Sequence, residues 1–409
     1  WGAAMQGFAA EPMAGHYDVV IIGGAIMGSS TAWWLSQDTG FKGRVLVLDR
    51  DPSYAQAGTT HTNSCIRQQF STALNIRISQ FGADFVQNLR AEMGGGPNVP
   101  DLKIQNFGYM YLSNTKAFSD VLRANCAVQH AHGAETRLLS PDQIKAEYPF
   151  YAVDDLDLAS INTKDEGYFD GSTLFDCFRR QAQAAGVEYV ADEVVGMTLS
   201  PGGYRVVALR LASGRTVGCG IVVNASGPRG ARTAAMAGIA LPVEPRKRFT
   251  WIIRAAKPLE RALPLTIDPS GVHVREVGGG TYMVGGHADH DPAVDFDDFV
   301  MDHGLWTDKI WPAIATRIPA FEAVKVISEW VGHYDYNTLD QNAVTGPHPE
   351  VGNFLFLNGF SGHGLQQSPA MGRGTAEWIV HGGYRTLDLS AFHFERITAG
   401  RAVVEGAII

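Results

Sequence analysis

The sequence predicts an α/β protein in which a nucleotide-binding βαβ sheet is interleaved with a second domain built on a mixed β-sheet. Three observations lead there. YDVVII at 17–22 is a short apolar run ending in glycines, helical composition follows from Ser29 to Leu35, and RVLVL at 44–48 reads as a second buried strand ending at Asp49. A second unit of this kind recurs at 170–190. Between and after the two units lie strand-like runs of a different character, GYMYLS, FTWIIRA, GVHVREV and TYMVGG, with helical stretches among them.

In the downstream unit Leu174, Phe175, Phe178, Ala182 and Ala185 recur at helical spacing, Gly186 supplies the C-terminal stop, and VEYV follows as a strand. GGYRVVALRLASGRTVGCGIVVNASG then turns as a β-meander, with Ser213-Gly214 as its hairpin signal, before a strand at Ile221 to Asn224. The expected nucleotide-binding domain therefore comprises 16–98, 164–241 and 335–381. Residues 99–163 and 242–334 form the second domain that roofs it, and 382–409 a C-terminal segment.

Composition narrows the function. With 409 residues and 45% hydrophobic side chains, the chain can bury a large core. A net charge of -9 and scattered Lys and Arg offer no basic patch to follow a phosphate backbone, so nucleic acid is not an expected partner. Cys65, Cys126, Cys177 and Cys219 are isolated in sequence, which suggests neither a zinc site nor a disulfide framework and fits a reducing, cytoplasmic setting. No HxH or HxxxH pair lies on a clear helix, so no metal site is expected. Val19 to Gln37 is uncharged and long, but its glycines and hydroxyl residues read as strand, turn and helix rather than a transmembrane segment. The opening WGAAMQGFAAEPMAGH lacks a basic region followed by an apolar core and is expected to be a flexible leader rather than a signal peptide.

IIGGAIMG places Gly23, Ala25 and Gly28 at the three positions of the GxGxxG pattern, with alanine in the second slot. The first position makes the tight turn, the second lets backbone approach a pyrophosphate, and the third lets helix and strand pack closely. Asp49, about 20 residues beyond Gly28, ends the next strand where a carboxylate can accept hydrogen bonds from a ribose. Behind it Thr59, Thr60, Thr62, Asn63 and Ser64 form a loop of small hydroxyl and amide groups suited to a pyrophosphate and an isoalloxazine, which favours FAD over a nicotinamide dinucleotide.

With these stretches IIGGAIMGSSTAWWL, GTTHTNSCIRQQFS, GYFDGSTLFDCFRRQAQAAGV, VVNASGP and GFSGHGLQQSPAMGRGTAE, the chain resembles the D-amino-acid oxidase superfamily of flavoproteins over nearly its whole length. IRQQFSTALNIRIS and YDYNTLDQNAVTGPHP are similar to a branch of FAD-dependent oxidoreductase domain-containing proteins linked to respiratory complex I assembly. The resemblance implies a Rossmann-like FAD-binding domain, non-covalent FAD, and a small amino-acid substrate whose α-carbon gives a hydride to the flavin. It adds Arg50, Val194, Ala225, Gly227, Gly362, Gly364, Leu365 and Gln366 to the expected cofactor-binding set.

For chemistry the resemblance points to Arg67, in CIRQQF, as the bidentate holder of the substrate carboxylate, with Tyr334 and His363 as further substrate-side or flavin-side residues. The stretch Tyr334 to Thr338 lacks the arginine of the glycine and D-amino-acid oxidising relatives, which turns the expectation toward secondary amino acids such as sarcosine or iminodiacetate. Gly332 and His333 stand where sarcosine oxidases carry a flavin-linking cysteine, and His61 lies one residue out of register with the histidine that dimethylglycine enzymes use. Oxygen is the expected electron acceptor, although the oxygen-activating lysine falls near Met283, leaving Lys247 as a substitute. The alternatives are a dehydrogenase that passes electrons to a quinone or electron-transfer flavoprotein, and a scaffold in which FAD is structural. In FSGHGLQQSPAMG, Ser368 and Pro369 read as N-cap and first residue of a closing helix, so that the loop before them presents free amides.

Overall fold

The order of strands in space departs from their order in the chain, as an interrupted βαβ protein requires. The structure is a computed structural model describing residues 7–407, with two eight-stranded sheets and a two-stranded ribbon, Cys65–Ile66 with Gly167–Tyr168. Along the first sheet lie Val344–Pro347, Phe354–Asn358, Thr216–Asn224, His16–Ile22, Val45–Asp49 and Glu188–Ala191. The last five are mutually parallel, with Ile21 beside both Val47 and Val223 and Val223 beside Leu355. Helices or loops cover both faces of these strands, which is why they read as unbroken apolar runs. The strand expected at Ile221 to Asn224 is the end of the longer Thr216–Asn224, whose first half pairs with the meander strand Val206–Leu211.

The carboxyl ends of the three central strands meet where Ile22 lies beside Leu48 and Asn224, the edge at which α/β sheets bind ligands. The helix Ile26–Gln37 starts there, and against it packs Gly364–His381, close to the other end of the chain. A Cβ on Gly372 would stand 2.2 Å from the Ser30 hydroxyl. That closeness lets Ser30 Oγ donate to the Ser368 carbonyl at 2.8 Å and Trp34 Nε1 to the Pro369 carbonyl at 3.0 Å.

Two expectations are corrected. The closing helix begins at Gly364, with His363 as its N-cap, so Ser368 and Pro369 lie inside it. Pro369 cannot donate to the Leu365 carbonyl, and the Ser368 hydroxyl does so instead at 2.9 Å, which removes part of the cost of an interior proline. The expected leader is docked from Phe8 onward: Ala9 N donates to the Tyr189 carbonyl at 2.8 Å, and Phe8 meets the Tyr189 ring edge-on at 5.6 Å. Residues 1–6 of that stretch lie outside the described residues.

The second sheet runs Val324–Asn337, Val243–Ala255, Thr281–Gly286, His273–Gly278, Leu265–Ile267, Tyr109–Ser113, Leu158–Asn162, Arg137–Leu139. Its own core is built on buried Trp251, Tyr282 and Phe321. The long antiparallel pair Val243–Ala255 and Val324–Asn337 stays in register from Val243 opposite Asn337 to Phe249 opposite Val331. Tyr334 and Asp335 thus reach the carboxyl edge of the first sheet on a rigid strand. No helix among the described residues is long and apolar enough to cross a membrane.

Candidate active site

Between the two sheets lies a cavity of about 300 Å³. Its floor is the glycine turn. Gly23 has φ +101°, and a Cβ there would stand 2.3 Å from the Ala225 carbonyl oxygen, so only glycine fits. Gly28 lies off the cavity, where a Cβ would meet the Gly23 carbonyl oxygen at 1.9 Å; its part is close packing of helix on strand. Ala25 is the N-cap of Ile26–Gln37 without a side-chain cap, and the first helical amide, that of Ile26, donates to Thr59 Oγ1 at 3.3 Å. The helix start keeps backbone amides for an anion.

Asp49 accepts from Gly24 N at 2.7 Å and from Asp51 N at 2.9 Å. Burial outweighs these donors and pushes its carboxyl up to about 6 from the ordinary 3.8. Since the folded value lies above the unfolded one, ionising Asp49 as pH rises through this window costs stability, and a ligand hydroxyl donating to the carboxylate offsets that cost. FAD affinity is therefore expected to weaken as pH falls through about 6; a dissociation constant that stays level from pH 7 to 5, in a titration of the apoprotein, contradicts this role.

Of the other sequence-predicted cofactor residues, Arg50, Thr59, Thr62, Asn63, Val194, Ala225, Gly227, Gly362, Gly364, Leu365 and Gln366 all line the cavity. Thr60 and Ser64 do not. The Thr60 hydroxyl is spent on the Tyr54 and Ala57 carbonyls at 2.7 Å each, and Ser64 shapes the loop with φ +53°. Lys247, expected as a substitute for an oxygen-activating lysine, also lies off the cavity, its amine 2.6 Å from Asp298. In Val243–Ala255 side chains alternate between faces, and the neighbour Arg248 faces the cavity, 4.5 Å over the Tyr334 ring.

Arg67, 2% exposed, and His363 share the inner end with Tyr334. The guanidinium stacks 3.8 Å over Phe70 and donates to the Gln69 carbonyl, to His363 Nε2 at 3.0 Å and to the Ala407 carbonyl at 3.4 Å. An arginine only donates, so His363 Nε2 is an acceptor here. Burial, helped by the Arg67 charge, pushes His363 down to about 3, and it stays neutral. Its lone pair orients Arg67 and is not free to take a proton.

The GFSGHG loop is tied to the second domain where Phe360 N donates to Asp335 Oδ2 at 3.1 Å and Asn337 N to Ser361 Oγ at 3.0 Å. The need for glycine at 362 is set within the protein: φ is +95°, and a Cβ would stand 2.4 Å from the Tyr334 ring. His363 gives no side-chain cap, so the amides at the start of Gly364–His381 stay available at the cavity wall.

Sequence reasoning missed the groups that hold Arg67. Buried Glu166 accepts from Gln68 N at 2.6 Å, Gln69 Nε2 at 2.8 Å and Asn162 Nδ2 at 2.9 Å, and so fixes Gln69, whose carbonyl Arg67 grips. Burial pushes its carboxyl up to about 8 despite those donors. Glu405 was missed as well. Its carboxylate accepts from Ser71 N, Ser71 Oγ and Asn75 Nδ2 at 2.6 Å each and from Thr72 Oγ1, tying the C-terminal segment to the start of the helix Ala73–Gln87 and bringing Ala407 to Arg67. No periodicity or motif marks either residue. Glu405→Ala is expected to lower stability by about 1.5–3 kcal/mol, the worth of hydrogen bonds to a charged group, in denaturant unfolding.

No group of three or more potential metal ligands occurs among the described residues. The residues do fit a dinucleotide: the glycine turn leaves no room for a side chain, two helix starts present uncapped amides, a carboxylate ends the second strand, and Gly227, at φ +55°, has open space where a Cβ would stand.

Comparison with known proteins agrees with this geometry. The family model described as "FAD dependent oxidoreductase" (DAO) matches residues 18–378. The chain is 38% identical over 423 residues to FAD-dependent oxidoreductase domain-containing protein 1 of Xenopus laevis, covering 96% of this chain and 85% of that protein. It is 26% identical over 400 residues to the mitochondrial sarcosine dehydrogenase of Mus musculus, covering 94% of this chain and 42% of that protein. Among solved structures, the L-proline dehydrogenase from P. horikoshii shares the fold at a TM-score of 0.82 and 23% identity, over 96% of this chain and 100% of that one.

Proposed function

Because the chain belongs to the DAO family of FAD-dependent oxidoreductases and takes FAD as its cofactor, we propose that it oxidises a secondary amino acid, an N-substituted glycine such as sarcosine or iminodiacetate. The observation that carries this reading is Arg67: a buried guanidinium, held among the described residues only by neutral acceptors, on the same cavity as Tyr334 and the Gly362 to Gln366 loop. Its charge is left for a ligand carboxylate. The sequence likeness to a sarcosine dehydrogenase supports a secondary amine.

Bound FAD supplies the acceptor for a hydride. Gly23, Ala25, Asp49, Thr59, Arg50 and Gly227 would hold its dinucleotide part without a covalent link, and the amides at Gly364 to Gln366 would stabilise negative charge on the bound cofactor. Arg67 orients the substrate carboxylate, the Tyr334 ring and Arg248 wall the cavity on the second-domain side, and burial excludes water until the imine product leaves to hydrolyse to an amine and a carbonyl acid. With His363 committed to Arg67, the substrate ammonium loses its proton to solvent rather than to a protein base, and only the neutral amine gives up the hydride. The rate of anaerobic flavin bleaching by N-substituted glycines is therefore expected to rise from neutral to alkaline pH, and a level profile speaks against the scheme.

Oxygen is the proposed final acceptor. The position of Lys247, paired with Asp298 away from the cavity, favours a second reading in which a quinone or electron-transfer flavoprotein takes the electrons. Hydrogen peroxide release measured against dye reduction separates the two.

A further inference from the structure

One segment over the cleft serves neither the glycine turn nor the Arg67 pole. Residues 287–303 carry no helix or strand, and connections of more than about 12–15 residues are uncommon in compact domains, being usually functional or linker segments. The segment contains DHDPAVDFDDFVMDH, and its aspartates reach cations of both domains. In the second domain Arg248 forks onto Asp291 at 2.9 and 3.0 Å, and Lys247 meets Asp298 at 2.6 Å. In the first domain Asp297 lies 2.5 Å from Arg229 and 3.8 Å from Arg50, both of which line the cavity. Two aromatic rings point inward from the same stretch. Phe296 lies beneath the Arg229 guanidinium at 5.4 Å, Phe299 stacks on His333 at 4.1 Å, and both rings line the cavity.

We propose that residues 287–303 form a strap across the cofactor cleft, latched by Asp297 and Asp298, whose release sets the rate at which FAD enters and leaves. The strap holds FAD in place of a covalent tether. The ion pairs at Asp297 and Asp298 are partly exposed, with these two side chains 61% and 35% accessible, so salt screens them and the latch opens reversibly. The bidentate Asp291 fork, less exposed than either, is the anchor that stays made. Arg229, Phe296 and Phe299 thereby join the residues that retain the cofactor.

The test follows release of FAD from the holoprotein by flavin fluorescence after dilution, at low and high sodium chloride, for the wild type and for the double variant Asp297→Asn, Asp298→Asn. The wild type is expected to release FAD faster as salt rises. The double variant is expected to release it about five-fold faster than wild type at low salt and to have lost most of the salt dependence. Equal release rates for the two proteins at low salt, at matched melting temperature, overturn the proposal. Should the variant fail to fold, limited proteolysis of the wild type decides. Cleavage within 287–303 that FAD suppresses and salt restores supports the strap, and cleavage unaffected by FAD refutes it. Neither readout involves a substrate, so failure here is distinct from failure of the amino-acid oxidation reading.

Discussion

Replacing Arg67 by alanine is expected to leave a folded protein that binds FAD but has lost about 10²- to 10³-fold in kcat/KM for an N-substituted glycine, measured by anaerobic flavin bleaching. Removing one partner of a buried, hydrogen-bonded charge pair costs about 2–5 kcal/mol, and the missing partner here is the substrate carboxylate. The variant also leaves His363 Nε2 and the Gln69 carbonyl without their donor, so part of the loss comes from disorder at that end of the cavity. Arg67→Lys separates the two contributions. A lysine keeps the charge but cannot serve Gln69, His363 and a carboxylate fork together, and it is expected to recover only a small part of the activity. Bleaching by N-substituted glycines that survives Arg67→Ala unchanged removes the carboxylate assignment.

Replacing Gly23 by alanine is expected to abolish FAD retention and to destabilise the fold by about 3 kcal/mol or more. A non-glycine residue in a left-handed conformation costs about 1–2 kcal/mol by itself. To this is added the overlap of its Cβ with the Ala225 carbonyl oxygen at 2.3 Å, which neither strand can relieve without breaking the parallel pairing of Ile22 with Asn224. Gly227→Ala is the control: its φ is also positive, at +55°, but nothing lies within 4 Å of the new Cβ. Thermal unfolding should show a small loss for Gly227→Ala and a large one for Gly23→Ala. Comparable losses mean that backbone conformation, rather than the close approach of strands, makes Gly23 necessary.

The two variants divide along the line between what is local in this protein and what is not. The glycine turn, the strands on either side of it and Asp49 at the end of the second were legible in the sequence, because chain connectivity alone places a strand, a tight turn and a helix next to one another. The buried parallel strands were legible for a related reason: covered on both faces, they carry no polar alternation to confuse the reading. The interleaving of two domains could be read from the change in character of the segments between the two βαβ units.

The start of the closing helix could not be read. Serine followed by proline is a sound helix start by local rules, and only the hydroxyl of Ser368, turned back onto the Leu365 carbonyl, lets the helix run through Pro369 from Gly364. The docking of the stretch from Phe8 depended likewise on the open edge of Glu188–Ala191, supplied by a distant part of the chain.

The sequence by itself determined the glycine turn and the acidic residue that ends the second strand, and its family resemblance singled out Arg67 as the proposed holder of a carboxylate. Only the tertiary structure decided what surrounds that charge. His363 and Ala407 come to it from distant segments while Gln69 lies only two residues on, Glu166 and Glu405 hold these groups in place, and Lys247 is turned out of the cavity while Arg248 is turned in. Local rules govern neighbours along the chain. The partners of a buried guanidinium are chosen instead by which distant segments pack around it and by the cost of leaving any of its donors unsatisfied.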